Sequence, residues 1–493
     1  MPLWMQVGGR TAPGIFGGDD RRKPGRQASI AANGGVRMAG VRSFKRVAAI
    51  CLPLCAWAVA TAAVVRGNVG ATRIPRPQIP DRTFELSAFG SNGDGKTLNT
   101  AAFQKAVDAI KQDGGGVLHV PAGIFLTAPF HLTGRMNLHL EKGATIKFIG
   151  FDEEWPKEDG KDVQYGILAD GCDDVAITGE GAIDGQGQLC WDRYRKVRDP
   201  ETGKFVPPQE APHRPRLVVL RGCTRVLIEG VTFRNSPSFH LVPDHCENVI
   251  IDGAHFVAPS NAPNTDGLDP SGWNYLITHC TFDVGDDCIA IKASQRPPSG
   301  RPSCENFTIT DCTFKHGHGM SIGSQTRGGL RNLVVRDCTF EGTEAGIRMK
   351  SSRGIGGLVE DLTYDNLTMK NVKVPIYITS YYPTAPADAA SDPPQPVTDT
   401  TPIWRNIHIS HVSAEGAETA GIVMGTPEAR IRDLTMEDVS LHAKKGMLIV
   451  NAQGVRVLRL DVKAAKGEPV IVRNAEVTGL GASNPPATSP QQN

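Results

Sequence analysis

The chain has 493 residues, 40% of them hydrophobic, and sets 53 Lys+Arg against 52 Asp+Glu for a net charge of +1. That balance lacks the basic excess that nucleic acid demands, so nucleic acid is excluded as a partner and recognition of any charged ligand has to be local. The length would accommodate several domains, yet repeat folds grow along one axis and use such a length as one.

Residues 1–37 are rich in Gly, Arg and Pro and stand ahead of Met38; they read as a non-native or disordered extension before an alternative start. In 38–62, Arg42, Lys45 and Arg46 lead into the apolar run 47–60, and small residues offer cleavage after Ala60 or Ala62. This is the pattern of an export signal. A membrane anchor fits less well, because the run is shorter than the ~20 residues of a span. The mature protein is therefore expected in the periplasm or outside the cell, without stable membrane association.

The Gly-rich stretch 89–95 is structural, since no Gly-Lys-Ser/Thr follows to make it a phosphate loop. Between Asn99 and Lys111, the residues Ala102, Phe103, Ala106, Val107 and Ile110 recur at helical spacing, with Asn99 or Thr100 placed to cap the first turn. A helix here would close the first coil of a solenoid.

From there the pattern is β. Segments 226–233, 249–256, 276–282, 307–314 and 333–340 follow one template of alternating β-branched residues, a short polar corner and two or three further strand residues. It returns at 362–369, 407–412, 431–441 and 455–462. A period of two within the segments, repeated every roughly 22 to 32 residues, predicts an all-β fold: a single-stranded right-handed parallel β-helix over 82–475 with an N-terminal capping helix. Cys280-Thr281-Phe282, Cys312-Thr313-Phe314 and Cys338-Thr339-Phe340 repeat one phrase. Small apolar side chains at equivalent positions of stacked coils form internal ladders, so these cysteines read as packing, not as disulfides or metal ligands. The polar segment 191–215 and the Pro-rich 383–402 interrupt the ladder as excursions, the first placed to wall off one end of a cleft. The tail 476–493 is expected to be disordered.

Four polar clusters stand on the turns of successive coils: Asn264-Thr265-Asp266-Gly267, Gly285-Asp286-Asp287-Cys288, Gly317-His318-Gly319 and Arg348-Met349-Lys350. Isolated Asp-Gly turns and a basic strand edge have ordinary structural uses. Clusters in phase with one another stack onto one face. Cleaving a glycoside needs an acid for the leaving oxygen and a base for water, hence carboxyls whose pKa values are split by environment. Asp286 and Asp287 would diverge on a strand, and a bulge or corner at Gly285 would let both reach a cleft that Asp266 enters from the preceding coil. Crowded like charges then keep one carboxyl protonated. Arg348 and Lys350 share one face of a strand and need an anion between them, which an acidic sugar would provide.

These clusters, with Met320-Ser321-Ile322-Gly323-Ser324 after the histidine and the stretch 179–187 in an early coil, resemble the polygalacturonases, glycoside hydrolase family 28, over about residues 82–475. The resemblance implies inverting hydrolysis of α-1,4-galacturonosidic bonds in polygalacturonate or a pectic oligosaccharide, with no cofactor and no metal. It makes Asp286 the general acid, has Asp266 and Asp287 hold and activate water, and places His318 on a catalytic carboxyl. Asn264, Arg348, Lys350 and Tyr382 would meet the substrate, Tyr382 being the best match among Tyr377, Tyr381 and Tyr382. No cysteine lies four residues before His318, a departure that removes one disulfide of many relatives. The segment 191–215 favours exo attack, and a monomer is expected. A pectate lyase shares the fold but needs calcium and an arginine base; a rhamnogalacturonan hydrolase is the alternative within the family, against which the intact Gly-His-Gly and Arg-x-Lys favour a homogalacturonan substrate; a pectin-binding adhesin would release no reducing ends.

Overall fold

The computed structural model describes residues 74–151, 155–196, 214–297 and 299–481. The expected extension, the export signal, most of 191–215 and the end of the tail lie outside them. No helix of the described residues is long and apolar enough to cross a membrane.

Strands stack coil upon coil in parallel register. In one column Val226 pairs with Val249, then Tyr275, Phe307 and Leu333. In a second, Phe233, Phe256, Phe282, Phe314 and Phe340 are neighbours. Their rings stack at 5.2, 4.8, 5.2 and 4.4 Å between centroids. This is the expected right-handed parallel β-helix, and its core is a set of such ladders: no coil can bury its inner face alone. The repeated Cys-Thr-Phe phrase lies in it, with Cys280, Cys312 and Cys338 buried and unpaired.

The corners explain a regularity that hydrophobic alternation misses. Asn248, Asn274, Asn306 and Asn332 all have φ between 59° and 62°, a left-handed conformation that asparagine tolerates better than most side chains. The amides of Asn274, Asn306 and Asn332 each donate to the oxygen of the asparagine one coil before, at 3.0, 2.9 and 2.7 Å, across 26, 32 and 26 residues of chain.

Helix α1 (Thr100–Gln112) buries Ala102, Phe103, Ala106, Val107 and Ile110, and stacks Phe103 on Phe130 at 4.6 Å. Its N-cap corrects the sequence expectation. Asn99 occupies the position without a capping side chain; its amide donates instead to the carbonyls of Asn92, Thr97 and Leu126 and accepts from Asn92 N–H at 2.7 Å. Stitching the Gly-rich loop to the first coils aims the amide at that loop and away from the first N–H groups of the helix. A second helix, α2 (Gln188–Lys196), opens the 191–215 excursion. At the other end the last strand runs on to Thr478, past the expected boundary at 475.

The face that carries the polar clusters begins as the sheet of Phe130–His131, Tyr165–Asp170, Arg216–Arg221 and Leu241–Asp244. Single bridges from Leu241 to Leu268 and from Leu268 to Ile289 continue it into Ile289–Ile291, Met320–Gly323, Ala345–Lys350 and Val374–Thr379.

Candidate active site

Asn264 turns the chain with φ 54°, and Thr265 locks this turn to the next: its hydroxyl donates to Ala262 O at 2.9 Å and accepts from Gly285 N–H at 3.0 Å. A Cβ on Gly285 would meet Ala262 O at 2.2 Å. Close approach of two coils, not a positive φ, is what demands glycine there. Asp286 and Asp287 follow on this corner, so adjacent residues both reach the cleft, as expected.

Their surroundings differ sharply. Asp287 is buried, and its Oδ1 accepts from Ser321 Oγ at 2.8 Å and from Arg348 Nη1 at 2.5 Å, while Oδ2 takes Lys350 Nζ at 2.7 Å. Burial opposes its charge, but Lys350 and then Arg348 hold the carboxyl well below the usual range. The sequence reading gave the space between these two cations to the substrate; a carboxylate of the protein occupies it. Two cations on one anion still leave a positive balance, beside the ring of Tyr382 at 5.0 Å from Lys350 Nζ and 5.9 Å from the Arg348 guanidinium.

Asp286 is tied to the opposite wall. Asn264 Nδ2 donates to its Oδ2 at 3.2 Å and Asp287 N–H to its Oδ1 at 2.9 Å. His318 Nδ1 lies 2.9 Å from Oδ1, an ionic approach without hydrogen-bond alignment, and its Nε2 lies 3.4 Å from Glu344. Burial works against the imidazolium, yet Asp286 and then Asp287 together outweigh it and raise His318 to about 9. Asp286 in turn falls below the ordinary value despite burial, because of His318. The carboxyl that burial and crowding push well up is Asp266, with Asp269 and Asp286 adding to the effect. One carboxyl is thus raised as expected, but it is not Asp286. The proton of the Asp286 pair sits on the histidine side.

All the expected site residues converge. Of the alternatives, Tyr381 bonds Asp392 at 2.8 Å in the 383–402 excursion and His316 faces Asp283 at 2.6 Å, while Tyr377 stands beside Arg348, in register with it on the neighbouring strand.

Three members were missed. Asp269, buried, and Lys292 flank Asp266, with Lys292 Nζ 3.6 Å from an oxygen of each. Ile291, Ile322 and Met349 pair in register, so Lys292, one position further, stands in the column of Lys350; counting that column would have found it. Arg214 donates to Asn264 Oδ1 and to Pro263 O, both at 2.7 Å, with its guanidinium 4.0 Å over Tyr194 of α2. It thereby points the Asn264 NH2 at Asp286. Arg195 of α2 holds Asn261 O at 2.9 Å, so the helix lies against the turn that leads into the site.

Asp286, Asp287 and His318 bring ligand atoms within 4.8 Å of one another, but both oxygens of Asp287 are already taken by cations, which would repel a metal ion.

Gly317 supplies a test of the geometry. Its φ is 109°, and a Cβ would meet Asp286 O at 2.4 Å, the carbonyl that accepts the His318 N–H at 2.8 Å. Gly317→Ala is expected to part His318 from Asp286 and lower kcat by ~10-fold or more, since small misplacements cost that much. Unchanged kcat in a folded variant would refute the constraint.

The family model for glycosyl hydrolases family 28 matches residues 114–458. A probable polygalacturonase of Vitis vinifera is 32% identical over 72% of this chain and 74% of its own length. An endo-polygalacturonase of Pectobacterium parmentieri is 29% identical, over 77% and 91%. Among solved structures, the hyperthermoactive exopolygalacturonase of Thermotoga maritima superposes with a TM-score of 0.65 at 28% identity, covering 81% of this chain and 94% of that one.

Proposed function

The chain belongs to glycosyl hydrolases family 28, and from that premise we propose that it hydrolyses the α-1,4-galacturonosidic bonds of polygalacturonate with inversion, acting from chain ends. The observation that carries the reading is the split between two adjacent carboxylates, Asp287 fixed as an anion by Arg348 and Lys350, and Asp286 coupled to a protonated His318.

Asp286 gives a proton to the leaving glycosidic oxygen as its bond to the anomeric carbon breaks. His318 holds that proton in the resting pair, so Asp286 and His318 act as one donor unit. A water between Asp266 and Asp287 forms the new bond to the anomeric carbon from the opposite face and loses its proton to Asp266. Asp287 remains ionised and orients the water. The positive balance at Arg348 and Lys350, beside Tyr382, receives a uronate carboxylate. Chain-end attack is supported by α2 and Arg214 on the early-coil side of Asn264. Export is supported by the basic, apolar and small-residue sequence of 38–62, and it suits a polymeric substrate.

Early digests of polygalacturonate should contain monomer or dimer with little loss of viscosity, and proton NMR should show the β-anomer first. A rapid fall in viscosity with mixed oligomers would overturn chain-end attack; initial α-anomer would overturn inversion.

A further inference from the structure

Behind the reacting carboxyls lies a group that the steps above do not use. Lys292 Nζ is 3.6 Å from Asp266 Oδ2 and 3.6 Å from Asp269 Oδ2. The two carboxyl side chains are 4% and 2% exposed. Neither oxygen of Asp269, nor Oδ1 of Asp266, has a hydrogen-bond partner among the described residues. Two buried carboxyls so poorly supplied with donors cannot both stay charged beside one ammonium. Which of them is ionised depends on where that ammonium stands.

We propose that Lys292 is a positioning residue for water activation: standing between Asp266 and Asp269, its ammonium sets the protonation state of Asp266 and so decides whether a base is available. The inference rests on the reading of Asp266 as the acceptor of the water proton. That transfer requires an ionised Asp266, and among the charged groups facing it, Asp269, Asp286 and Asp287 all oppose ionisation while Lys292 favours it. Lys292 itself faces Asp266, Asp269, Asp287 and Asp286, and exerts repulsion on Lys350. Tyr382 and the Phe239 ring, 5.6 Å from Nζ, complete its surroundings, while Arg216 bears on Asp269 and Arg214 on Asp266. Burial leaves Asp269 at about 6 and Asp266 raised well above its ordinary value even with Lys292 in place. Without that cation the base would be protonated over a still wider range.

Four variants test this, two of them in opposite directions. Lys292→Met keeps the aliphatic stem against Phe239 and removes the charge. Asp266 should then hold its proton to higher pH, moving the acidic limb of kcat/KM up by about one unit or more, a ~10-fold loss at a pH on the wild-type limb, with KM little changed. Asp269→Asn leaves the ammonium to Asp266 alone, and the limb should move down. In the double variant the two shifts should largely cancel. Lys292→Arg should stay near wild type. An unshifted limb in Lys292→Met, or an unshifted or raised limb in Asp269→Asn, would overturn the proposal; the second holds even where the first variant does not fold. Infrared difference titration of the same proteins reads the buried carboxyl without substrate. It separates failure of this inference, no shift in a carboxyl band, from failure of the functional reading, a shifting carboxyl in a protein inert on polygalacturonate.

Discussion

Asp286→Asn should lower kcat on polygalacturonate by ~10²-fold or more while KM stays within a few-fold. The substitution keeps size and planarity and removes the dissociable proton. Asn264 Nδ2 and Asp287 N–H both donate to Asp286, and an amide can accept only one of them through oxygen, so a local rotation accompanies the loss of chemistry. The variant also strips His318 of its counter-ion. In the native protein the imidazole is raised from 6.5 to about 9, with Asp286 the strongest of the raising influences. A folded pKa above the unfolded one means that His318 contributes stability fully below about pH 6.5, and that this stability is lost as pH rises through about 9. Asp286→Asn should flatten that part of the pH–stability curve, read by thermal melting across the same window, and NMR should find His318 titrating lower. Near-normal turnover would remove Asp286 from the donor role. Normal His318 titration would dissolve the pair.

The fold was legible because its signal is redundant. Phe233, Phe256, Phe282, Phe314 and Phe340 each sit at the same place in a repeated phrase, and any two of them suffice to fix the register. The position of the site was legible for the same reason: clusters in phase with that phrase must stack. What stayed hidden were the partnerships across coils. Asp287 meets Arg348 and Lys350 across 61 and 63 residues of chain, and from the sequence either a substrate or a protein carboxylate could fill the space between two cations. Asp269 resembles an ordinary turn residue until Lys292 is seen beside it. Asn99 carries the sequence signature of a cap, and only the nearby carbonyls of Asn92, Thr97 and Leu126 show that its amide is engaged elsewhere. Electrostatics was the least legible. The rule that crowded carboxyls raise a pKa holds, but which one rises depends on where His318, Lys292, Arg348 and Lys350 stand, and that is set by the register of the neighbouring coils.

Asp287→Ala should be the most damaging single change, abolishing turnover and destabilising the protein by ~3–5 kcal/mol. The reason lies in what remains. Arg348 and Lys350 are 8% and 4% exposed, and without Asp287 both are buried cations side by side with no anion in contact, beneath Tyr382 and in the field of Lys292. Lys350→Ala is milder in stability, because Arg348 and Ser321 still hold Asp287 Oδ1. It reduces the net charge of the trio from positive to zero, so its residual activity should discriminate less between a uronate and its uncharged methyl ester, with KM raised and kcat lowered as Asp287 loosens. Combining Asp287→Ala with Lys350→Met should recover part of the lost stability without recovering turnover, since one buried cation is tolerated better than two. Denaturant unfolding of the three variants separates these outcomes. If Asp287→Ala is no less stable than wild type, the cations are not held by that carboxylate; if Lys350→Ala keeps the full preference for the charged sugar, the positive balance beside Tyr382 is not what receives it.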